Sequence, residues 1–161
     1  MILKGLIDED FVNYKKPSMV LEFPYCTFKC DKEYGCQICQ NSNLVSAPNI
    51  EINPVDIATR YFNNPITEAI ICQGLEPFDS VDDLFHLIYT FREFSNIHDD
   101  IVIYTGYTKE ELEEKQYLTF LKKYDNIYIK YGRFIPSQDS HYDKVLGVNL
   151  ASPNQYAERI S

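Results

Sequence analysis

The chain has 161 residues, 45% hydrophobic and 24% charged, with a net charge of −9. That is enough for one compact domain, expected over residues 1–161, whose core does not depend on disulfides. The acidic balance, 24 Asp and Glu against 15 Lys and Arg, speaks against a nucleic-acid binder, and the absence of a long apolar run excludes a membrane-spanning helix. The first ten residues turn acidic too early for a signal peptide, so a reducing cytoplasm is the expected compartment.

In chain order, Met19–Phe23 reads as a strand delivering the chain to a cysteine-rich loop. Asn53-Pro54 is a helix start, Asn as N-cap and Pro at the first helical position. Val55, Ile57, Ala58, Tyr61 and Phe62 then give one helical face, ending at Asn63-Asn64-Pro65. Ala69–Cys72 is a short continuous apolar run, the mark of a strand covered on both sides. Asp79 or Ser80 caps a helix through about Phe94, with Val81, Leu84, Phe85, Ile88 and Phe91 inward. Ile101–Tyr104 is the next strand, followed by a Thr105-Gly106-Tyr107 turn. Thr108 and Glu111 form a capping box for a helix through Lys122 or Lys123. Ile127–Lys130 is a fourth strand, and the polar tail holds a short strand near Val145–Leu150. Alternating strands and helices predict βαβ units and a mostly parallel sheet. Chemistry in such sheets sits at the carboxyl ends of the strands, where the cysteine loop, Gln73–Pro77 and Thr105–Tyr107 should meet.

Four of the five cysteines, Cys26, Cys30, Cys36 and Cys39, fall within fourteen residues. Such crowding suits a group on which several soft thiolates converge. Either a four-thiolate structural zinc or a [4Fe–4S] cluster meets that description; zinc sites usually pair two Cys-x-x-Cys knuckles, and Cys26/Cys30 is a looser fit. Cys72 ends an apolar run and reads as a buried, inert thiol. His86, His98 and His141 share no spacing, and the Glu110-Glu111-Glu113-Glu114 group reads as a solvated helix start.

The cysteine loop resembles that of the radical S-adenosylmethionine enzymes, and the chain as a whole is similar to the activating proteins of anaerobic ribonucleoside-triphosphate reductase. Five segments carry the resemblance, in order: the loop ending Cys39-Gln40-Asn41, Gln73-Gly74-Leu75-Glu76-Pro77, Ile103–Thr108, Gly132-Arg133-Phe134, and Ser152-Pro153-Asn154-Gln155. The resemblance implies a partial (βα) barrel with the cysteine loop after the first main strand. It implies a [4Fe–4S] cluster and S-adenosylmethionine as cofactors. It also implies a glycyl-radical subunit of the reductase as partner, and flavodoxin or ferredoxin as electron donor.

Three cysteines are the family's ligand number. The alignment taken is Cys26, Cys30 and Cys39, with Cys36 spare; the rival set is Cys26, Cys36 and Cys39. Gly74, Leu75, Glu76 and Pro77 are then expected to receive the methionine end of the nucleotide, and Thr105, with Tyr107, to touch its adenosine. Tyr25 and Phe28 would shield the cluster. Leu75 and Tyr131 depart from the family pattern, which leaves modification of another peptide or protein as an alternative target. A zinc-stapled interaction module, or an electron carrier using Cys36 as fourth ligand, completes the alternatives.

Overall fold

The computed structural model describes residues 1–161. Its elements are β1 (Ile2–Leu3), β2 (Gly5–Asp10), β3 (Ser18–Phe23), α1 (Lys29–Tyr34), β4 (Ile50–Glu51), α2 (Pro54–Phe62), β5 (Ala69–Gly74) and α3 (Val81–Tyr89). They continue with β6 (Asp100–Tyr104), α4 (Lys109–Glu114), α5 (Tyr117–Leu121), β7 (Ile127–Tyr131), β8 (His141–Asp143), β9 (Val148–Leu150) and β10 (Tyr156–Arg159). No helix is long and apolar enough to cross a membrane.

Two of the three expected helix starts work as chemistry, whereas Ser80 heads α3 without a side-chain cap bond. The Asn53 side chain accepts the Val55 N–H at 2.9 Å with Pro54 at the first helical position. Thr108 and Glu111 exchange both bonds of the capping box, at 3.3 and 2.9 Å. The helix expected to run on to Lys122 is instead broken at Gln116, whose φ of 59° is left-handed, so α4 and α5 are separate. Likewise the helix expected through Phe94 is α3 followed by a wider π turn, Thr90–Phe94.

Six strands form the main sheet in the order β10-β7-β6-β5-β3-β2. The inner four, β3, β5, β6 and β7, are parallel, as the alternation implies, and β2 and β10 flank them antiparallel. The architecture is therefore α/β with the mostly parallel central sheet expected, made mixed by its two antiparallel outer strands; the strand order runs from β10 to β2 and does not show the partial barrel. Strand alternation sorts the core into two layers. Met19, Leu21, Ile70, Cys72, Ile101, Ile103, Ile127 and Ile129 pack on the helices. Val20, Ile71, Val102 and Tyr128, neighbours in register, face Tyr14, Leu146 and Leu150 from the N-terminal segment and the tail. All inner strands point the same way, so their carboxyl ends open on one pole. The tail that covers the second face also reaches that pole.

Candidate metal centre

A cavity of about 310 Å³ lies at the carboxyl ends of the inner strands. The cysteine loop supplies Cys26, Cys30, Cys39 and Asn41 to its wall. Gln73, Gly74, Leu75 and Glu76 come from the end of β5, and Tyr104, Thr105 and Gly106 from the end of β6. Lys130, Gly132 and Phe134 follow from β7, and Asn149–Ala151 and Gln155 from the tail. All five segments singled out in the sequence thus contribute, and the volume suits a small-molecule site.

The three thiols share one further feature. Backbone N–H groups favour the thiolate form of all three: Phe28 N donates to Cys26 Sγ at 3.2 Å, and the amides of Phe134 and Asn41 pull against burial at Cys30 and Cys39. Such bonds favour thiolate and help set the potential of a sulfur-ligated metal group. Burial opposes them as long as the sites are plain thiols, and pushes Cys26 up to about 12 and Cys30 and Cys39 upward. Cys36 is exposed and lines a different concavity with Asp31, Lys32, Gly35 and Gln37. Cys72 is fully buried among the helices, as expected, and burial raises its thiol. No three His, Cys, Asp or Glu side chains are drawn close enough to hold one metal ion.

The loop is pinned from several sides. Asp31 Oδ1 accepts the N–H groups of Ile38 and Cys39, both at 2.9 Å, which fixes the approach of the last cysteine. Asn41 Nδ2 donates to the Gly74 carbonyl at 2.7 Å and Thr27 N to Asp79 Oδ2 at 2.6 Å. Glu76 N donates to Tyr25 O at 2.8 Å. Only glycine fits at position 74: its φ is +99°, and a Cβ there would meet Phe23 N at 2.7 Å. Phe28, at φ 52°, carries the left-handed turn that opens α1 and lies half-buried, while Tyr25 is exposed.

Glu76 is the buried acid of the cavity. Its Oε1 accepts from Thr105 Oγ1 (2.7 Å) and Phe78 N (3.2 Å), and its Oε2 from Gly106 N (2.9 Å). Burial raises its carboxyl to about 7 against the pull of those three donors. No cation pairs with it, and Oε2 keeps room for another donor. Thr105 and Gly74–Glu76 line the cavity as expected. Pro77 does not; it is buried and opens the short 3₁₀ turn Pro77–Ser80. Tyr107 does not line it either, because its hydroxyl donates to Asp79 Oδ1 at 2.6 Å.

Three features escape the sequence reading. Lys130, at the end of a strand, projects into the cavity with only 7% of its surface exposed; the alternation Ile127-x-Ile129-x-Tyr131 was the available signal. Glu111 is not simply a solvated helix-start residue. It accepts from Arg133 Nη2 (2.7 Å) and Lys29 Nζ (3.0 Å), tying the cysteine loop to the segment after β7, and Arg133 holds its carboxyl down at about 2. The tail locks that same segment. Gln155 Nε2 donates to Gly132 O (3.3 Å) and Asn154 Nδ2 to Arg133 O (2.8 Å), and a Cβ at Gly132 would strike Asn154 O.

Soft sulfur donors gathered at the strand ends of an α/β sheet are the makings of an iron–sulfur protein. A family model described as a 4Fe-4S single cluster domain matches residues 18–153, from the start of β3 into the tail. The chain belongs to this family of 4Fe-4S single cluster domains. No curated protein matches the chain. No solved structure matches it either. The residues present fit such a cluster: Cys26, Cys30 and Cys39 line one cavity, and the Phe28 N–H donates to the first sulfur.

Proposed function

We propose that this protein is a radical S-adenosylmethionine activase that generates a glycyl radical on anaerobic ribonucleoside-triphosphate reductase. The observation that carries the reading is the meeting of the five resembling segments around one cavity of nucleoside-compatible size. Cys26, Cys30 and Cys39 hold the cluster, and Cys36, exposed on another surface, is the spare thiol. A reduced cluster held there would supply the electron for reductive cleavage of the sulfonium of S-adenosylmethionine to methionine, and the deoxyadenosyl fragment would take a hydrogen atom from glycine.

The chain's own residues hold, orient and shield. Glu76 offers its free lone pair to the ammonium of the methionine moiety, and Thr105 and Gly106 keep its carboxylate in place. Asn41 fixes the Gly74 carbonyl and thereby the path of the strand exit. Residues 149–151 and Gln155 wall the cavity against water. Flavodoxin or ferredoxin is the proposed electron donor.

The test is anoxic reconstitution, iron and sulfide analysis, and incubation with dithionite and S-adenosylmethionine. About four irons per chain and release of 5′-deoxyadenosine are expected, with a glycyl electron-resonance signal when the reductase is added. A well-formed cluster that yields no 5′-deoxyadenosine overturns the reading; 5′-deoxyadenosine without a glycyl signal moves the target to another protein. Glu76→Gln should keep its iron and lose nucleotide affinity about 10–100-fold, the worth of one charge-assisted hydrogen bond.

A further inference from the structure

Lys130 lies on β7 between Ile129 and Tyr131, which point into the helix-side core. Alternation sends Lys130 to the other face, where it lines the cavity shared by Cys26, Cys30 and Cys39. An ammonium has three donors. This one gives a single hydrogen bond, from Nζ to Gly132 O at 2.9 Å. None of the chain's ion pairs includes it. Burial pushes its ammonium down to about 8, against the pull of the Glu76 carboxylate, which lines the same cavity without forming an ion pair with it. Tyr104, its partner in register on β6, turns its hydroxyl away to Asn13 O. A buried cation with no ion-pair partner is costly. Its place in this wall points to an anionic occupant beside the thiols.

We propose that Lys130 is a charge-setting residue: its buried ammonium is the fixed counter-charge that raises the reduction potential of the cluster held by Cys26, Cys30 and Cys39. The inference rests on the three-thiol site proposed above, but not on S-adenosylmethionine or on the reductase. Reduction takes one electron from dithionite, which is oxidised to sulfite, and leaves the cluster one unit more negative. A nearby fixed cation favours that reduced form. One unit charge across a cavity of this scale, at an effective dielectric of about 20, changes such an equilibrium about tenfold.

The experiment is a redox titration followed by electron resonance on anoxically reconstituted protein, with iron counted in every sample. Lys130→Met, Lys130→Arg and Lys123→Met are compared with the unsubstituted chain, Lys123 being an exposed lysine whose loss controls for net charge. In Lys130→Met the ratio of reduced to oxidised cluster at the original midpoint should fall about tenfold, a midpoint ~59 mV more negative. Lys130→Arg should restore the original value, and Lys123→Met should leave it unmoved. A fully loaded Lys130→Met protein with an unshifted midpoint overturns the proposal, as does an equal shift in Lys123→Met. If Lys130→Met does not hold iron, Lys130→Gln serves as the neutral comparison and is judged the same way. An unsubstituted chain that binds no iron overturns the site itself, an outcome distinct from a loaded cluster indifferent to Lys130.

Discussion

The two poles of the sheet bury charge in opposite ways. At the amino ends of the strands, Asp100 receives the Tyr14 hydroxyl at 3.0 Å and the Lys16 ammonium at 2.5 Å. Arg92, 5% exposed, spends its guanidinium on the carbonyls of Ile97, Asp99 and Asp125 at 2.6–3.2 Å. Tyr61 closes the same region with a 2.7 Å bond to Asp99. At the carboxyl ends, Glu76 has neutral donors and no cation, and Lys130 has one carbonyl and no carboxylate. Burial alone does not tell structure from function here. Pairing does: charge that is completed within the chain holds the fold, and charge left incomplete awaits a ligand.

The comparison breaks most easily at the thiols. Cys26→Ser, Cys30→Ser and Cys39→Ser should each abolish a stable cluster, whereas Cys36→Ser should retain it; iron and sulfide per chain decide. Iron lost only in Cys36→Ser and not in Cys30→Ser would restore the rival ligand set. Next comes the paired pole. Arg92→Met leaves three carbonyls without their donor and should cost about 3 kcal/mol, read from urea unfolding.

Removing charge at the other pole should act in the opposite sense. The folded-state carboxyl of Glu76 is raised from 4.5 to about 7. The folded chain therefore binds the proton more tightly than the unfolded chain. Stability from this group is full below about pH 4.5 and is lost as pH rises through 7. Glu76→Gln in the iron-free protein should flatten that loss and stabilise the fold at pH 8, relative to pH 5, by on the order of 2–3 kcal/mol. Lys130, lowered to about 8 by burial, works at higher pH. Its unfolded form holds the proton longer, so stability should rise between about pH 8 and 10.5. Urea midpoints across the two windows measure both slopes. The smallest effect belongs to the surface: Arg60→Ala breaks a pair with Asp8 whose partners are 52% and 43% exposed, and should cost less than about 0.5 kcal/mol.

Where local chemistry sufficed, the sequence was readable. Asn53-Pro54 and Thr108/Glu111 carry their helix starts within four residues, and the apolar runs of β5, β6 and β7 follow from burial on both faces. Edge strands were not readable for the complementary reason. Gly5–Asp10 is mostly half exposed and acidic, so it lacks the apolar signature, and its place is set by pairing with β3. The break at Gln116 has no Gly or Pro to announce it. In the site, the cysteines and Glu76 declared themselves by type and spacing. That Cys30 lines the cavity and Cys36 does not depends on where α1 turns, and the placing of Glu111 depends on partners up to 82 positions away.

The tail has a consequence for assembly. Roughly 110 residues lie between Cys39 and the Asn149–Gln155 wall of the chamber, or about 5–20 s of synthesis at ordinary ribosomal speed. During that interval the nascent thiols are without their final cover. The order of synthesis thus presents the thiols before the segments that roof them.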